Sequence, residues 1–469
     1  MADVVIIGGG ISGLSTAFAV EGEARKRGLD ISTLVLEKEE RPGGKIWSRK
    51  EDGYLCEWGP NGFLDSKPWT LELCRDAGLA GRLMRSNDNA RKRFIFSQGQ
   101  LHQLPDNARE FFRSGLISWP GKLRLVGELF VPARRDGEDE TLADFARRRL
   151  GPEALEKLIG PMVSGVFAGD PETMSLKSCF PRIHELENDY GGLIRALFKL
   201  QRERRLERKS GKQVGGPSGP GGVLTSFYGG TDELVSGVAG SLDGEVRTQA
   251  RVKSLRKELD GFEIELAGGE IIEAAVVVSA CPAYELMALV REMDRDMARL
   301  LAKIPYAPLF VVCCGYERAK IAHDLNGFGY LAARGEKRKA LGTLWDSSIF
   351  PYRAPEGHVL LRSMVGGATR PDILQYSEEA IGRMVLDDLH IIMGIDKNPD
   401  FLRVFPHKKA IPQYLSGHGA LLAALADRTR HVPGFFFTGN AFSGVGLNDC
   451  VKAGNETASR VADFVNKMK

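Results

Sequence analysis

Three glycines, Gly8, Gly10 and Gly13, stand at the spacing GxGxxG within "VVIIGGGISGL" at residues 4–14, between an apolar β-branched run and a helical one. That spacing serves a physical need. Gly8 permits a tight turn, Gly10 lets the backbone approach a pyrophosphate, and Gly13 lets helix and strand pack closely. The phosphates then face unpaired N–H groups at the helix N-terminus. Glu37 closes the returning strand "ISTLVLEKE", where a carboxylate can accept both hydroxyls of an adenosine ribose and discourages a 2′-phosphate. Together these residues predict an adenine dinucleotide, with NAD and FAD both still open.

Two further stretches lean toward flavin. "EKEERPGGKIWS" (37–48) places Arg41, Gly43 and Gly44 just past the ribose-binding acid, and "EWGPNGFLD" (57–65) follows with a second glycine-proline turn. Together they resemble large flavoproteins of the amine oxidase and phytoene desaturase type. The resemblance implies that "TGNAFSGVGLNDC" (438–450) belongs to the same site. A flavin dinucleotide is long, so the first loop would take the adenylate half and the last loop the ribityl chain and isoalloxazine. Gly444 and Gly446 would give backbone access, and a helix from about Leu447 would aim its N-terminus at the isoalloxazine and stabilise negative charge there. Where many such flavoproteins carry an acid, this chain has Asn440, whose amide can still bond a ribityl hydroxyl. Val252 is expected on the adenine side. The full set of expected FAD contacts is Gly8, Gly9, Gly10, Ile11, Ser12, Gly13, Glu37, Lys38, Arg41, Gly44, Lys45, Gly59, Pro60, Asn61, Gly62, Val252, Gly439, Asn440, Val445, Gly446 and Leu447.

Along nearly its whole length the chain resembles the protoporphyrinogen oxidases, with the related coproporphyrinogen III oxidases. The most specific segments are "GVFAGD", "MSLKSCFP" and "GFGYL"; "ERPGG", "GPNGF", "MVGG", "AIPQY" and "GVGLNDC" accompany them. The resemblance implies FAD-dependent oxidation of protoporphyrinogen IX to protoporphyrin IX in haem synthesis, by three hydride transfers to flavin N5 with oxygen as acceptor. Coproporphyrinogen III oxidation is the alternative, and an amine or carotenoid oxidase of the same fold is more remote. A carrier without turnover is the competitor from another class. Arg93 matches an arginine that grips a substrate propionate, since a planar guanidinium holds a carboxylate bidentately. Gly169, Phe328, Gly329, Leu331 and Met364 match residues that wall the flat ring. No side chain stands out as a general base, and His407 is left outside the catalytic set. The family also implies a homodimer.

The bulk numbers set limits. At 469 residues the chain exceeds one simple core. A net charge of +3 gives no global sign of nucleic-acid binding. Seven cysteines form no CxxC pair, which reads as buried small hydrophobes in a reducing compartment. The eight histidines show no metal-ligand spacing, so no metal is expected. The N-terminus carries no recognisable export signal, and no apolar run approaches the ~20 residues of a spanning helix. The expected place is the cytoplasm, with peripheral contact at the cytoplasmic membrane. Residues 111–135 hold five basic residues and one acid among Phe, Trp, Leu and Ile, a composition suited to an interfacial helix.

These residues must be positioned by an α/β architecture. Residues 3–40 read as strand, turn, helix and strand, and 90–105 as a hairpin turning at Gln98-Gly99. The expected organisation is a discontinuous Rossmann-type FAD domain over 1–85, 222–300 and 425–469. A mixed-sheet substrate domain would take 86–105 and 301–424. A helical, membrane-associating domain would take 106–221, with a flexible segment at 201–220.

Overall fold

The computed structural model describes residues 2–209 and 222–468. Its described strands fall mainly into two seven-stranded sheets. In the first, Ala2–Ile7 lies between the parallel strands Thr33–Leu36 and Ile271–Ser279. Val4, Val5 and Ile6 are fully buried, as expected where both faces of a parallel sheet are covered and the sequence is continuously apolar rather than alternating. Antiparallel strands Gly261–Leu266 and Val252–Glu258 extend this sheet, and Phe435–Phe437 joins it from the far end of the chain.

Helix Ile11–Arg27 leaves the first strand at the glycine turn and stops at Gly28, which adopts the left-handed conformation (φ 64°). It packs along the terminal helix Leu447–Met468. Their approach is close: a side chain at Gly454 would lie 2.6 Å from the Ser15 hydroxyl. This pairing brings the two glycine loops, more than 400 residues apart, to the same end of the sheet.

The second sheet runs from the edge strand Phe401–Pro412 through Tyr306–Glu317, His358–Gly366, Ala340–Leu344 and Gly329–Ala332 to the hairpin Arg93–Ser97/Gln100–Gln103. Gln98 and Gly99 both take positive φ (55° and 74°), which a two-residue hairpin turn of matching twist requires. The hairpin joins the sheet in parallel, Arg93 opposite Gly329.

Residues 108–209 form a helical layer around a fully buried ion pair, Arg149 to Glu128 at 2.6 Å. The Glu128 carboxylate also accepts the N–H groups of Leu193 and Ile194, capping the helix Leu193–Lys209. Of the expected flexible segment, residues 201–209 continue that helix, and 210–220 lie outside the described residues. All seven cysteines are free thiols, five of them buried. Among the described residues no helix is long and apolar enough to cross a membrane.

Candidate functional site

The glycine turn has the geometry its spacing predicts. Gly8 sits at φ 107°. A Cβ on Gly13 would lie 1.9 Å from the Gly8 carbonyl oxygen, so only glycine allows this helix–strand approach. Gly10 caps the helix without a side-chain hydrogen bond, and no acid occupies the first turn of Ile11–Arg27. Its N–H groups and partial positive charge are therefore open to an anion. Glu37 is buried; it accepts the Gly9 N–H at 2.8 Å on one oxygen and the Glu39 N–H at 2.9 Å on the other. Each oxygen retains a lone pair for a ribose hydroxyl. Ala250 donates its N–H to the Glu37 carbonyl at 2.8 Å, which runs the chain toward Val252 along this strand end.

Two expected cofactor cations have other work. Arg41 donates to Asp232 at 2.9 Å and to the carbonyls of Pro42 and Ile46, and lies 4.5 Å from the Trp47 ring. It anchors the turn around Gly43 and Gly44 rather than offering a free charge. Lys38 pairs with Glu285 at 2.9 Å. Lys45 differs: its ammonium is half-buried, donates to the Ala410 carbonyl and lies 5.3 Å from the Tyr306 ring. Burial pushes its pKa down to about 8 because the charged form is desolvated.

The remaining cofactor loops close around the same end. Gly59 packs so tightly that a Cβ would lie 2.1 Å from the Lys45 carbonyl oxygen. His407 bonds the Trp58 carbonyl at 3.0 Å through Nε2, and burial lowers its pKa to about 4, so the ring is neutral and donates. In the last loop, Gly439 (φ 118°) and Gly444 (φ 115°) need glycine. Tyr414 fastens the loop, its hydroxyl accepting the Gly444 N–H at 2.9 Å and donating to the Asn440 carbonyl. Val445 and Gly446 follow, and the helix from Leu447 carries Asp449 in its first turn, paired with Lys67 at 2.5 Å. That acid offsets part of the positive end expected to face the isoalloxazine. Two buried polar atoms in these loops, Asn61 Nδ2 and Thr438 Oγ1, lack a partner among the described residues. Orphaned polar atoms in these loops fit a polar dinucleotide.

Of the expected substrate residues, Arg93, Gly329, Leu331 and Met364 lie on strands of the second sheet, Phe328 just precedes one, and Gly169 lies between helices Gly160–Phe167 and Leu176–Cys179. Phe328 donates its N–H to the Lys92 carbonyl at 2.7 Å, and the Arg93 guanidinium lies 5.4 Å from the Phe328 ring. Gly329 (φ 133°) could not carry a side chain, since a Cβ would lie 2.1 Å from the Thr343 carbonyl oxygen. Leu331 packs on Ile95 and Leu116 under the helical layer. Met364 packs with Ala168, Leu341 and Ala410, the residue whose carbonyl holds Lys45. Gly169 is small for a packing reason: a Cβ there would lie 2.0 Å from the Met174 sulfur. At the far end of the sheet Glu317, His358 and Asp400 bring ligand atoms within 4.8 Å of one another, with Lys320 already paired to both carboxylates at 3.2 and 2.9 Å.

The family model for flavin containing amine oxidoreductases matches residues 11–462. The chain is 36% identical to the chloroplastic protoporphyrinogen oxidase of Oryza sativa subsp. japonica, over 99% of this chain and 89% of that protein. It is 30% identical to the coproporphyrinogen III oxidase of Bacillus subtilis (strain 168), over 98% of each.

The chain belongs to the protoporphyrinogen oxidase family.

A crystal structure of an Exiguobacterium sp. 255-15 protein, provisionally named protoporphyrinogen oxidase, has the same fold, with a TM-score of 0.83 at 24% identity over 98% of both chains. Membership makes this protein a flavoenzyme with FAD as its cofactor, and the cradle described above is where this family member would hold it. Sequence reasoning missed the charged residues behind that cradle, Glu57, Asp346, Arg353 and Arg362. The motif "AIPQY" does contain Tyr414, but nothing in its spacing shows that the phenol fastens the last loop.

Proposed function

We propose that the protein oxidises protoporphyrinogen IX to protoporphyrin IX, with oxygen as the final acceptor. The observation that carries this reading is the pairing of Arg93 with the Phe328–Gly329 strand start, which sets a guanidinium 5.4 Å from an aromatic ring. A tetrapyrrole macrocycle with carboxylate side chains asks for that combination: aromatic and aliphatic faces for the ring and a fork of donors for a propionate. Each round removes a hydride from a bridging carbon and releases a proton, and over three rounds four hydrogens leave the bridging carbons and two leave pyrrole nitrogens, which gives the aromatic ring. FAD, when bound, supplies the two-electron acceptor at N5. Arg93 orients the substrate, and Phe328, Leu331 and Met364 exclude water. Lys45 Nζ exchanges a proton near neutral pH, its pKa lowered to about 8 by burial.

The test is aerobic turnover of protoporphyrinogen IX, read as porphyrin fluorescence with peroxide measured in parallel. Three peroxides per porphyrin support the reading; porphyrin formation no faster than in buffer overturns it. A second reading, coproporphyrinogen III, is favoured by a cavity of about 720 Å³ lined by Asp88, Arg91, Lys92 and Asn326 beside Arg93. Arg91 pairs with Asp88, so Lys92 remains as a further cation for a substrate with more propionates.

The helical layer supports contact with a membrane surface. Phe112, Trp119, Leu123, Val126 and Phe130 are exposed along one stretch, and Leu197 and Phe198 on the neighbouring helix are exposed as well. Arg109 and Arg113 flank them, as suits a surface lying among anionic headgroups.

A further inference from the structure

Behind the loop Glu57–Gly62 lie four buried charged side chains: Glu57, Asp346 and Arg353 are fully enclosed, and Arg362 nearly so. Two arginines against two carboxylates leave the group neutral. Arg353 reaches Glu57 at 3.0 Å and Asp346 at 3.3 Å. Enclosing these ions costs solvation that pairing recovers only in part, and a packed apolar cluster could brace two sheets as well. What the ions do beyond bracing is specific. Arg362 donates to the carbonyls of Glu57 at 3.1 Å and Gly59 at 2.9 Å. Arg353 donates to the Asn61 carbonyl at 3.1 Å and to the Asn61 side-chain oxygen. The acceptors thus gripped all belong to residues 57–61.

Two donors, at Asn61 and Gly62, are left facing away from Arg353. A trans peptide points its N–H opposite to its C=O, so holding the Asn61 carbonyl turns the Gly62 N–H away from Arg353. Holding the Asn61 amide oxygen leaves Nδ2 as its free donor, and that atom has no partner among the described residues. The same Glu57 also accepts the Ser48 hydroxyl at 2.7 Å and the Thr231 hydroxyl at 2.6 Å. Ser48 in turn accepts the Asp232 N–H at 3.0 Å, and Asp232 holds Arg41. One ion network therefore sets both the 41–46 turn and the 57–62 loop.

The geometry points to Arg353 as a positioning residue for the flavin, one that fixes the Asn61 amide so that Nδ2 and the Gly62 N–H are presented as donors to the cofactor. Donors held toward the flavin stabilise its reduced, more negative form. The inference rests on FAD binding and is independent of which substrate is oxidised.

The test uses full-length protein loaded with FAD, comparing wild type, Arg353→Lys, Asn61→Ala and the double variant. Midpoint potential is read by slow reduction against a reference dye, FAD affinity by fluorescence titration, and apo-protein melting separately. Each single variant is expected to lower the potential and weaken FAD binding, and the double variant to fall no further than Asn61→Ala. Potentials unchanged in Asn61→Ala overturn the proposal, as does a lowered melting point in Arg353→Lys with potential and affinity intact. A further drop in the double variant also overturns it, since Arg353 would then act other than through Asn61. Should Arg353→Lys not fold, Asn61→Ala and Arg353→Met combined with Asp346→Asn, which keeps the cluster neutral, give the same readouts.

Discussion

Replacing Lys45 with methionine separates two opposing demands on one side chain. Without cofactor, the ammonium is a poorly solvated charge whose pKa falls from an ordinary 10.5 to about 8. At ~1.4 kcal/mol per pKa unit that difference is worth about 3 kcal/mol, and the partial exposure of the side chain reduces it to about 1–2 kcal/mol. The sign follows from which state binds more protons. Below pH 8 both folded and unfolded chains are protonated, and the full penalty is present. Between pH 8 and 10.5 the folded chain releases its proton first, so stability rises with pH across that window. Lys45→Met should therefore be more stable than wild type as apo-protein at pH 7, with the difference shrinking toward pH 10.5. FAD binding should show the reverse. Removing a donor worth ~1.5–3 kcal/mol weakens it about 10- to 100-fold, and wild-type affinity should itself decline above pH 8. Denaturant unfolding of apo-protein from pH 6.5 to 10.5, beside FAD titrations over the same range, reads both effects. A stability difference that stays flat with pH would refute the reasoning, and so would undiminished FAD affinity in the variant.

Three other variants test separate parts of the structure. Arg93→Ala should raise KM for a porphyrinogen about 10- to 100-fold with little change in kcat, as expected when a charge-assisted contact worth ~1.5–3 kcal/mol is made equally before and during reaction; steady-state kinetics with both porphyrinogens check it. Gly13→Ala places a Cβ 1.9 Å from the Gly8 carbonyl oxygen and should cost about 1–3 kcal/mol or more, seen as protein purified with little FAD and a lowered melting temperature. Changing Trp119, Leu123 and Phe130 together to serine should abolish cosedimentation with anionic vesicles, since these side chains are 63%, 69% and 84% exposed and pack on little of their own protein. The same variant should keep its turnover in detergent.

The sequence shows what is local and hides what the sheet register assembles. Strand, turn and helix over residues 3–40 are legible because a continuously apolar strand, a GxGxxG turn and a helical run of small and apolar residues each carry their mark within their own few residues. The Gln98-Gly99 turn is legible for the same reason. Arg93 beside Gly329 is not, because a parallel pairing across more than 200 residues leaves no mark on either segment. Glu57 and Arg353 are hidden more deeply: charged residues ordinarily read as solvated, and these are buried only because their partners come from distant strands. Arg41 shows the converse: beside the dinucleotide turn an arginine can neutralise phosphate or anchor the turn, and the Asp232 that pairs with it stands 191 residues away.

The most direct measurement is anaerobic stopped-flow of the FAD-loaded protein, mixed separately with protoporphyrinogen IX and coproporphyrinogen III, following the oxidised flavin absorbance. The expected result is fast bleaching by protoporphyrinogen and slow bleaching by coproporphyrinogen. The reverse order would contradict the substrate assignment and leave the site intact, and no bleaching by either would contradict porphyrinogen oxidation itself.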